Sequence, residues 1–237
     1  MPNNYFKFKQ FTVYQDKSAM KVGTDGVLLG AWANLSDAKN VLDIGTGTGL
    51  ISLMINQRLS ANVIIDAIDI DEDAIVQAKE NIEKAGAGNI NCIRQSLQSF
   101  AENCNRKYDL VISNPPYFSS SLHSPDKQRN MARHTDTLPI ESLIGLSARL
   151  ITDTGKFAII YPYTGKELLI SITTDAGLYV SRITDVYPTP QSDPKRILLE
   201  LSKIETAVQH NQLIIETKRH VYSDEYIALT RDFYLKM

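Results

Sequence analysis

The stretch Val41-Leu42-Asp43-Ile44-Gly45-Thr46-Gly47-Thr48-Gly49 constrains the fold of this chain more than any other. A β-branched run passes into a glycine-rich turn and then into the apolar helical pattern Leu50–Leu59, a strand–turn–helix unit of the kind found at the carboxyl edge of a parallel sheet. Glycines there let a ligand approach the backbone. The spacing is G-x-G-x-G with Leu50 after Gly49, so the dinucleotide pattern G-x-G-x-x-G is not matched, and a nucleoside cofactor other than NAD is expected. Asp43, on the strand, is suited to orient the loop or to meet a positively charged cofactor group. Asp69 stands about 20 residues beyond the turn, where an acidic side chain accepts hydrogen bonds from ribose hydroxyls. Asp71 is better placed to cap the following helix. The alternative is that the glycines make only a tight turn and that Asp69 is a solvated strand end.

The rest of the chain fits an α/β architecture. Strands are expected at Val41–Ile44, Val63–Asp69, Ile90–Arg94, Tyr108–Ser113 and Lys156–Tyr161, alternating with helices at Leu50–Leu59, Asp73–Ala85, Pro139–Leu150 and Gly165–Ala176. This is the order of a parallel sheet covered by helices on both faces. Two extended runs follow, Tyr179–Tyr187 and Arg196–Ile204, joined by the turn-rich PTPQSDPK and read as an antiparallel hairpin at the sheet edge. The C-terminal segment reads as a weak strand and a helix. No repeat or linker is visible, so residues 1–237 are read as one domain, with 1–35 a substrate-facing N-terminal extension and 36–237 the catalytic core.

Composition excludes rather than selects. The two cysteines, Cys92 and Cys104, have neither CxxC spacing nor histidine neighbours, so no disulfide framework or zinc site is expected and a reducing cytosol suits them. The N-terminus lacks the apolar stretch of a signal peptide and no segment is apolar for a bilayer's thickness, so no membrane association is expected. A formal net charge of −2 gives no global pull toward nucleic acid, and RNA binding must rest on local patches.

Asn114-Pro115-Pro116-Tyr117 ends the fourth strand, again at the carboxyl edge. An amide or aromatic amine nitrogen is a poor nucleophile because its lone pair is delocalised. Acceptors that hold its N–H groups favour localising that pair, and the Asn114 side chain and the Pro115 carbonyl offer them. The two prolines fix the backbone, and Tyr117 gives a flat face on which a planar substrate can stack. Taken alone, the tetrapeptide is equally an ordinary turn. Its place after this strand favours the chemical reading.

Tyr5-Phe6-Lys7-Phe8-Lys9-Gln10-Phe11 alternates lysines with aromatics. Either Lys7, Lys9 and Phe11 form part of a nucleic-acid surface, or the run is an edge strand with a buried phenylalanine face. Residues 118–137 form a long connector carrying Lys127, Arg129, Arg133 and His134. It is read either as a substrate-closing lid or as a solvated loop, with His123 and His134 more simply exposed polar residues than catalytic ones.

The glycine turn, Asp69 and the terminal hairpin resemble the class I S-adenosylmethionine-dependent methyltransferases. That resemblance implies a Rossmann-like, seven-stranded, mostly parallel sheet with a terminal antiparallel hairpin, and it places Ser96 against the cofactor's adenine. The Asn-Pro-Pro-Tyr element is similar to the signature of amino-methyltransferases acting on adenine N6, cytosine N4 and glutamine side chains. Phe6 to Phe11, Lys21-Val22-Gly23-Thr24-Asp25-Gly26-Val27-Leu28-Leu29-Gly30, Asn114 to Tyr117 and Ala132-Arg133-His134 together resemble the bacterial tRNA1(Val) adenine-37 N6-methyltransferase family. This resemblance implies S-adenosylmethionine as cofactor, S-adenosylhomocysteine as product, no metal, tRNA as partner without an obligate protein partner, and a cytoplasmic site of action. It also places Gly23, Thr24 and Asp25 beside the cofactor's methionine end, although the segment reads equally as a turn over the core. A protein glutamine methyltransferase is a rival, but such enzymes usually carry a helical N-terminal domain for which the residues before the first core strand are too few. A small-molecule amine methyltransferase would leave the N-terminus and the long connector unused. A non-catalytic RNA-binding protein of the same fold is the remaining rival.

Overall fold

The structure, a computed structural model, describes residues 3–18, 20–59, 62–116 and 138–237. Its centre is an eight-stranded sheet. In chain order the strands are β3 (Asn40–Ile44), β4 (Ile64–Asp69), β5 (Ile90–Arg94), β6 (Tyr108–Ser113), β7 (Ile151–Pro162), β8 (Tyr179–Tyr187), β9 (Arg196–Ser202) and β10 (Gln209–Ile214). Across the sheet they run β10-β8-β9-β7-β6-β3-β4-β5. Only β9 is antiparallel to its neighbours, β7 and β8.

The seven expected strands, the hairpin among them, are present, and the weak strand expected in the C-terminal segment joins the same sheet as an eighth. β10 pairs parallel to β8 over six residues from Gln209↔Arg182 to Ile214↔Tyr187. Only Leu213 along it is buried. Backbone pairing, not an apolar pattern, holds it in the sheet, which is why its sequence reads weakly.

Helices cover both faces. On one lie α1 (Thr24–Trp32), α2 (Leu50–Arg58), α3 (Glu72–Ala85) and α7 (Asp224–Thr230). They enclose a core that includes Leu28, Leu29, Leu53, Met54, Ile82 and Tyr226. On the other, α4 (Leu97–Asn103), α5 (Ile140–Leu150) and α6 (Lys166–Asp175) close over Phe100, Tyr108, Leu143, Phe157 and Leu169. α3 shows the expected end signals: the Asp71 side chain accepts from the Asp73 and Ala74 N–H groups, and Gly86 closes the helix at φ 68°. No helix among the described residues is long and apolar enough to cross a membrane.

α1 replaces the turn that was one of the two readings of Gly23–Gly26: the chain is helical from Thr24. Every residue from Gly26 to Trp32 is buried, so the helix is apolar all round and shows no amphipathic period. Its far end is held by the Trp32 indole, which donates to Thr184 Oγ1 at 2.9 Å and carries the Arg182 guanidinium 3.6 Å above its ring. Gly26 and Gly30, one turn apart, let α1 lie against α2.

The N-terminal hairpin, β1 (Tyr5–Lys7) and β2 (Thr12–Tyr14), buries the phenylalanines of its turn while Tyr5 stays exposed. Phe8 and Phe11 are 1% and 8% exposed and lie 4.8 Å apart, and the Phe8 ring stacks on Tyr234. Phe11 therefore belongs to the core and offers no face to a nucleic-acid base, which corrects that expectation. The Lys9 ammonium donates to the carbonyls of Arg231 and Met237 and so ties down the C-terminal end, while Lys7 is exposed. Burial of the apolar face outweighs any gain from exposing it, as on a protected edge strand.

A Cβ at Gly30 would stand 2.9 Å from Met54 Sδ and 3.1 Å from Met54 Cβ. Gly30→Ala is expected to push α1 from α2 at a cost of about 1–3 kcal/mol. Each kcal/mol is worth roughly 2–4 °C in a chain of this size, so the melting temperature should fall by several degrees. An unchanged melting temperature would mean that the two helices have slack.

Candidate active site

Three adjacent parallel strands, β4, β3 and β6, end side by side and bring their following residues together. At the end of β3 the chain turns through Gly45, Gly47 and Gly49 at φ 71°, 56° and 80°, a left-handed path that residues with a Cβ rarely take. The Gly45 and Thr46 N–H groups both donate to the Ile68 carbonyl, at 2.9 and 3.0 Å. Gly47 N–H donates to Asp69 Oδ2 at 2.9 Å, and Asp71 N–H donates to Asp69 Oδ1 at 3.0 Å. These bonds fix the loop against the end of β4 and leave each Asp69 oxygen a further lone pair.

Asp43 lies beneath the loop and is fully buried. Its Oδ2 accepts from Thr46 Oγ1 and Ser52 Oγ, both at 2.7 Å, and so staples the loop to the first turn of α2. Of the two roles open to Asp43, the contacts match the orientation of the loop. Oδ1 is buried without a hydrogen-bond partner among the described residues. Burial pushes the Asp43 carboxyl up to about 6, against the lowering effect of the two hydroxyls. Burial also raises the Asp69 carboxyl above its ordinary value, opposed by the N–H groups of Asp71 and Gly47.

The loop forms one wall of a cavity of about 430 Å³ whose other wall is the strap and helix start from Met20 to Gly26. Asn114, at the end of β6, and Arg196, at the start of β9, complete it. Ser113 Oγ donates to the Ile44 carbonyl at 2.9 Å and locks the ends of β6 and β3 together just before Asn114. The cavity thus gathers Gly23, Thr24, Asp25, Gly45, Gly47 and Asn114, residues from three separate stretches of sequence. Gly49 starts α2 against Ala78, Asp69 borders the loop, and Pro115 and Pro116 follow Asn114, half-buried and exposed respectively.

Ser96 does not line this cavity. It caps α4, its Oγ accepting from Ser99 N–H at 3.2 Å, so the hydroxyl is engaged in the helix start. Tyr117, Lys127, Arg129, Arg133, His123 and His134 lie outside the described residues.

Arg196 was not anticipated from the sequence. Its Nε donates to Asp25 Oδ2 at 2.7 Å, joining β9 to α1 across the cavity and committing much of the Asp25 charge. The available signal was topological: an antiparallel strand next to parallel ones begins where they end. A second cavity of similar volume, beside Asp66, Arg106 and Tyr108, contains neither the glycine loop nor Asn114. Its carboxylate is engaged by Asn91, Arg106 and Tyr108.

The site fits a nucleoside sulfonium cofactor: backbone exposed at the glycine turn, an oriented carboxylate at the end of β4, and buried negative charge under the loop. Among the described residues no group of three or more His, Cys, Asp or Glu side chains could hold a metal ion. The raised Asp43 pKa has a consequence for stability. In the unfolded chain the carboxyl titrates near 3.8 and in the fold near 6, so its contribution is fully present below the lower value and is lost as pH rises through about 6. That loss is about 2–3 kcal/mol. Urea denaturation at several pH values should show Asp43→Asn without this decline between about pH 4 and 7. Equal pH dependence in the two proteins would show that Asp43 carries no such strain.

Residues 35–217 match the family model described as a methyltransferase domain. The tRNA1(Val) (adenine(37)-N6)-methyltransferases of Parabacteroides distasonis and Phocaeicola vulgatus are each 51% identical to this chain, with all of both chains covered, and that of Trichodesmium erythraeum is 46% identical with the same coverage. Among solved structures, a predicted O-methyltransferase from Agrobacterium tumefaciens superimposes with a TM-score of 0.66 at 18% identity, covering 88% of this chain and 96% of that one. A ribosomal protein L11 methylase from Lactobacillus delbrueckii subsp. bulgaricus gives 0.58 at 15% identity, with 81% and 84% covered. The solved structures share the class I methyltransferase fold, and the full-length sequence agreement goes further: this chain belongs to the tRNA1(Val) (adenine(37)-N6)-methyltransferase family.

Proposed function

We propose that the protein transfers a methyl group from S-adenosylmethionine to the exocyclic N6 amine of an adenine in tRNA, at position 37 of tRNA1(Val), the substrate in the names of its relatives. The observation that carries this reading is the placement of Asn114 in the same cavity as the glycine loop, so that an amine acceptor and a methyl-donor site face each other. When bound, S-adenosylmethionine supplies a methyl group on a positively charged sulfur and leaves as S-adenosylhomocysteine.

The chain's own residues prepare both partners. Asp69, oriented by Gly47 and Asp71, accepts hydrogen bonds from the ribose hydroxyls. The strap residues Gly23 to Asp25 border the methionine end. The Asn114 side-chain oxygen and the Pro115 carbonyl accept the N–H groups of the amine and favour a lone pair pointing at the methyl. Their hydrogen bonds strengthen as the nitrogen gains positive charge during transfer. The proton is released to solvent only after that charge has developed, so no base is needed beforehand.

An adenine inside a stack cannot reach Asn114, so the nucleotide enters extruded from its loop. Tyr117 is the stacking face for the base, and Lys127, Arg129 and Arg133 meet phosphates. Residues 1–237 act as one catalytic unit in the cytoplasm, without an obligate protein partner or a metal.

Incubation with labelled S-adenosylmethionine and unmodified total tRNA, followed by nucleoside analysis, should give N6-methyladenosine. Asn114→Ala should lower kcat by about 100-fold or more while leaving cofactor affinity unchanged. Full activity in that variant would remove Asn114 from the amine-holding role, and label on protein instead of RNA would replace the tRNA substrate with an amide one.

A further inference from the structure

The two walls of the cavity come from distant parts of the chain and share no covalent frame. One is the Gly45–Gly49 loop. The other follows β2 and runs through Lys21 to Gly26. Within itself this second wall is lightly bonded: Val22 N–H donates to Gln15 Oε1 at 2.8 Å, and Ser18 Oγ to the Met20 carbonyl at 3.0 Å. Its helical end is held by α1 packing on α2 and by the Arg196–Asp25 pair, and the stretch before it, from Tyr14 to Lys17, is held from one face of α3.

Asn81 and Gln77, one turn apart on that face, are both 0% exposed. Asn81 Nδ2 donates to the Thr48 carbonyl of the loop at 2.9 Å and to the Tyr14 carbonyl of β2 at 2.8 Å, while its Oδ1 accepts from Tyr14 N–H at 2.8 Å. Gln77 Oε1 accepts from Lys17 N–H at 3.0 Å, further along the same strap. Between them Ala78 supports Gly49, whose Cβ, were there one, would meet Ala78 Cβ at 3.4 Å. Amides at buried helix positions are costly unless satisfied, and apolar residues such as Ala78 and Ile82 fill the rest of this face. Asn81 is satisfied by main-chain groups of the glycine loop and of β2, and Gln77 by Lys17 N–H and the Glu80 carboxylate.

We infer that Asn81 is a positioning residue for the cofactor: one buried amide holds the glycine loop and the N-terminal strap at the separation the cofactor requires, and Gln77 extends the same hold. This rests on the reading of the cavity as the S-adenosylmethionine site. Asn81→Asp keeps the shape and the acceptor but replaces two donated hydrogen bonds with a carboxylate facing two carbonyls.

Binding of S-adenosylmethionine is measured by calorimetry below the melting transition of every variant, together with steady-state kinetics. Asn81→Asp should weaken cofactor affinity by about tenfold or more and raise the cofactor KM in proportion, with kcat at saturating cofactor and the KM for tRNA little changed. Gln77→Leu, which removes the bond from Lys17 N–H and the longer one to Glu80, should show the same pattern at about threefold, and it keeps the test open if Asn81→Asp does not fold. Thr173→Val, which deletes a buried hydroxyl on the opposite face of the sheet, should lower stability without changing cofactor affinity. Wild-type affinity in both Asn81→Asp and Gln77→Leu, or an equal loss in Thr173→Val, would overturn the inference. Absence of binding by the unaltered protein would instead overturn the cofactor reading beneath it.

Discussion

The hydrogen bond from Gly47 N–H to the Asp69 carboxylate joins the turn after β3 to the end of β4, and the remainder of the site is arranged around that joint. It is possible only because the two strands are parallel, in the register Ile44↔Ile68, and end together. A left-handed glycine path then turns the backbone back over the strand ends. β6 lies on the other side of β3 in the register Ile44↔Ser113, which delivers Asn114 to the same edge. Loop, carboxylate and amide thus converge from sheet geometry, with no side chain required to reach far.

Charge is distributed unevenly around this edge. Asp43 lies beneath the loop and Asp69 beside it, while of the two cations lining the cavity among the described residues, Lys21 from the strap and Arg196 from the hairpin, Arg196 is paired with Asp25. An environment of this kind suits a ligand with a positive centre better than a polyphosphate. The burial that lifts the Asp43 carboxyl to about 6 shows that the fold retains this acidic group at a cost to its own stability. Such trade-offs are common at functional sites.

Much of this was legible in the sequence because the signals were local. The strands β3 to β6 are short β-branched runs bounded by turns, and the helices between them carry an apolar period or a cap. The glycine turn and Asn114 could be assigned to one edge from the order of elements alone. Three features were legible only in part, each for a physical reason. α1 is apolar on every side and carries no period. β10 joins the sheet through its backbone while exposing polar side chains. The alternating Phe and Lys residues at the N-terminus fit both a base-stacking surface and a covered edge, and burial against Tyr234 decided for the latter. Arg196 and Asn81 act across long sequence separations, which periodicity does not report.

The cavity between the glycine loop and the N-terminal strap receives the methyl donor with Asn114 facing the transferred group, and a crystal structure with S-adenosylhomocysteine is the decisive experiment. It should show the ribose hydroxyls on Asp69, the homocysteine end between the loop and Thr24 to Gly26, and the sulfur turned toward Asn114. A ligand seated in the cavity beside Asp66 and Arg106, or bound with its sulfur turned away from Asn114, would contradict it.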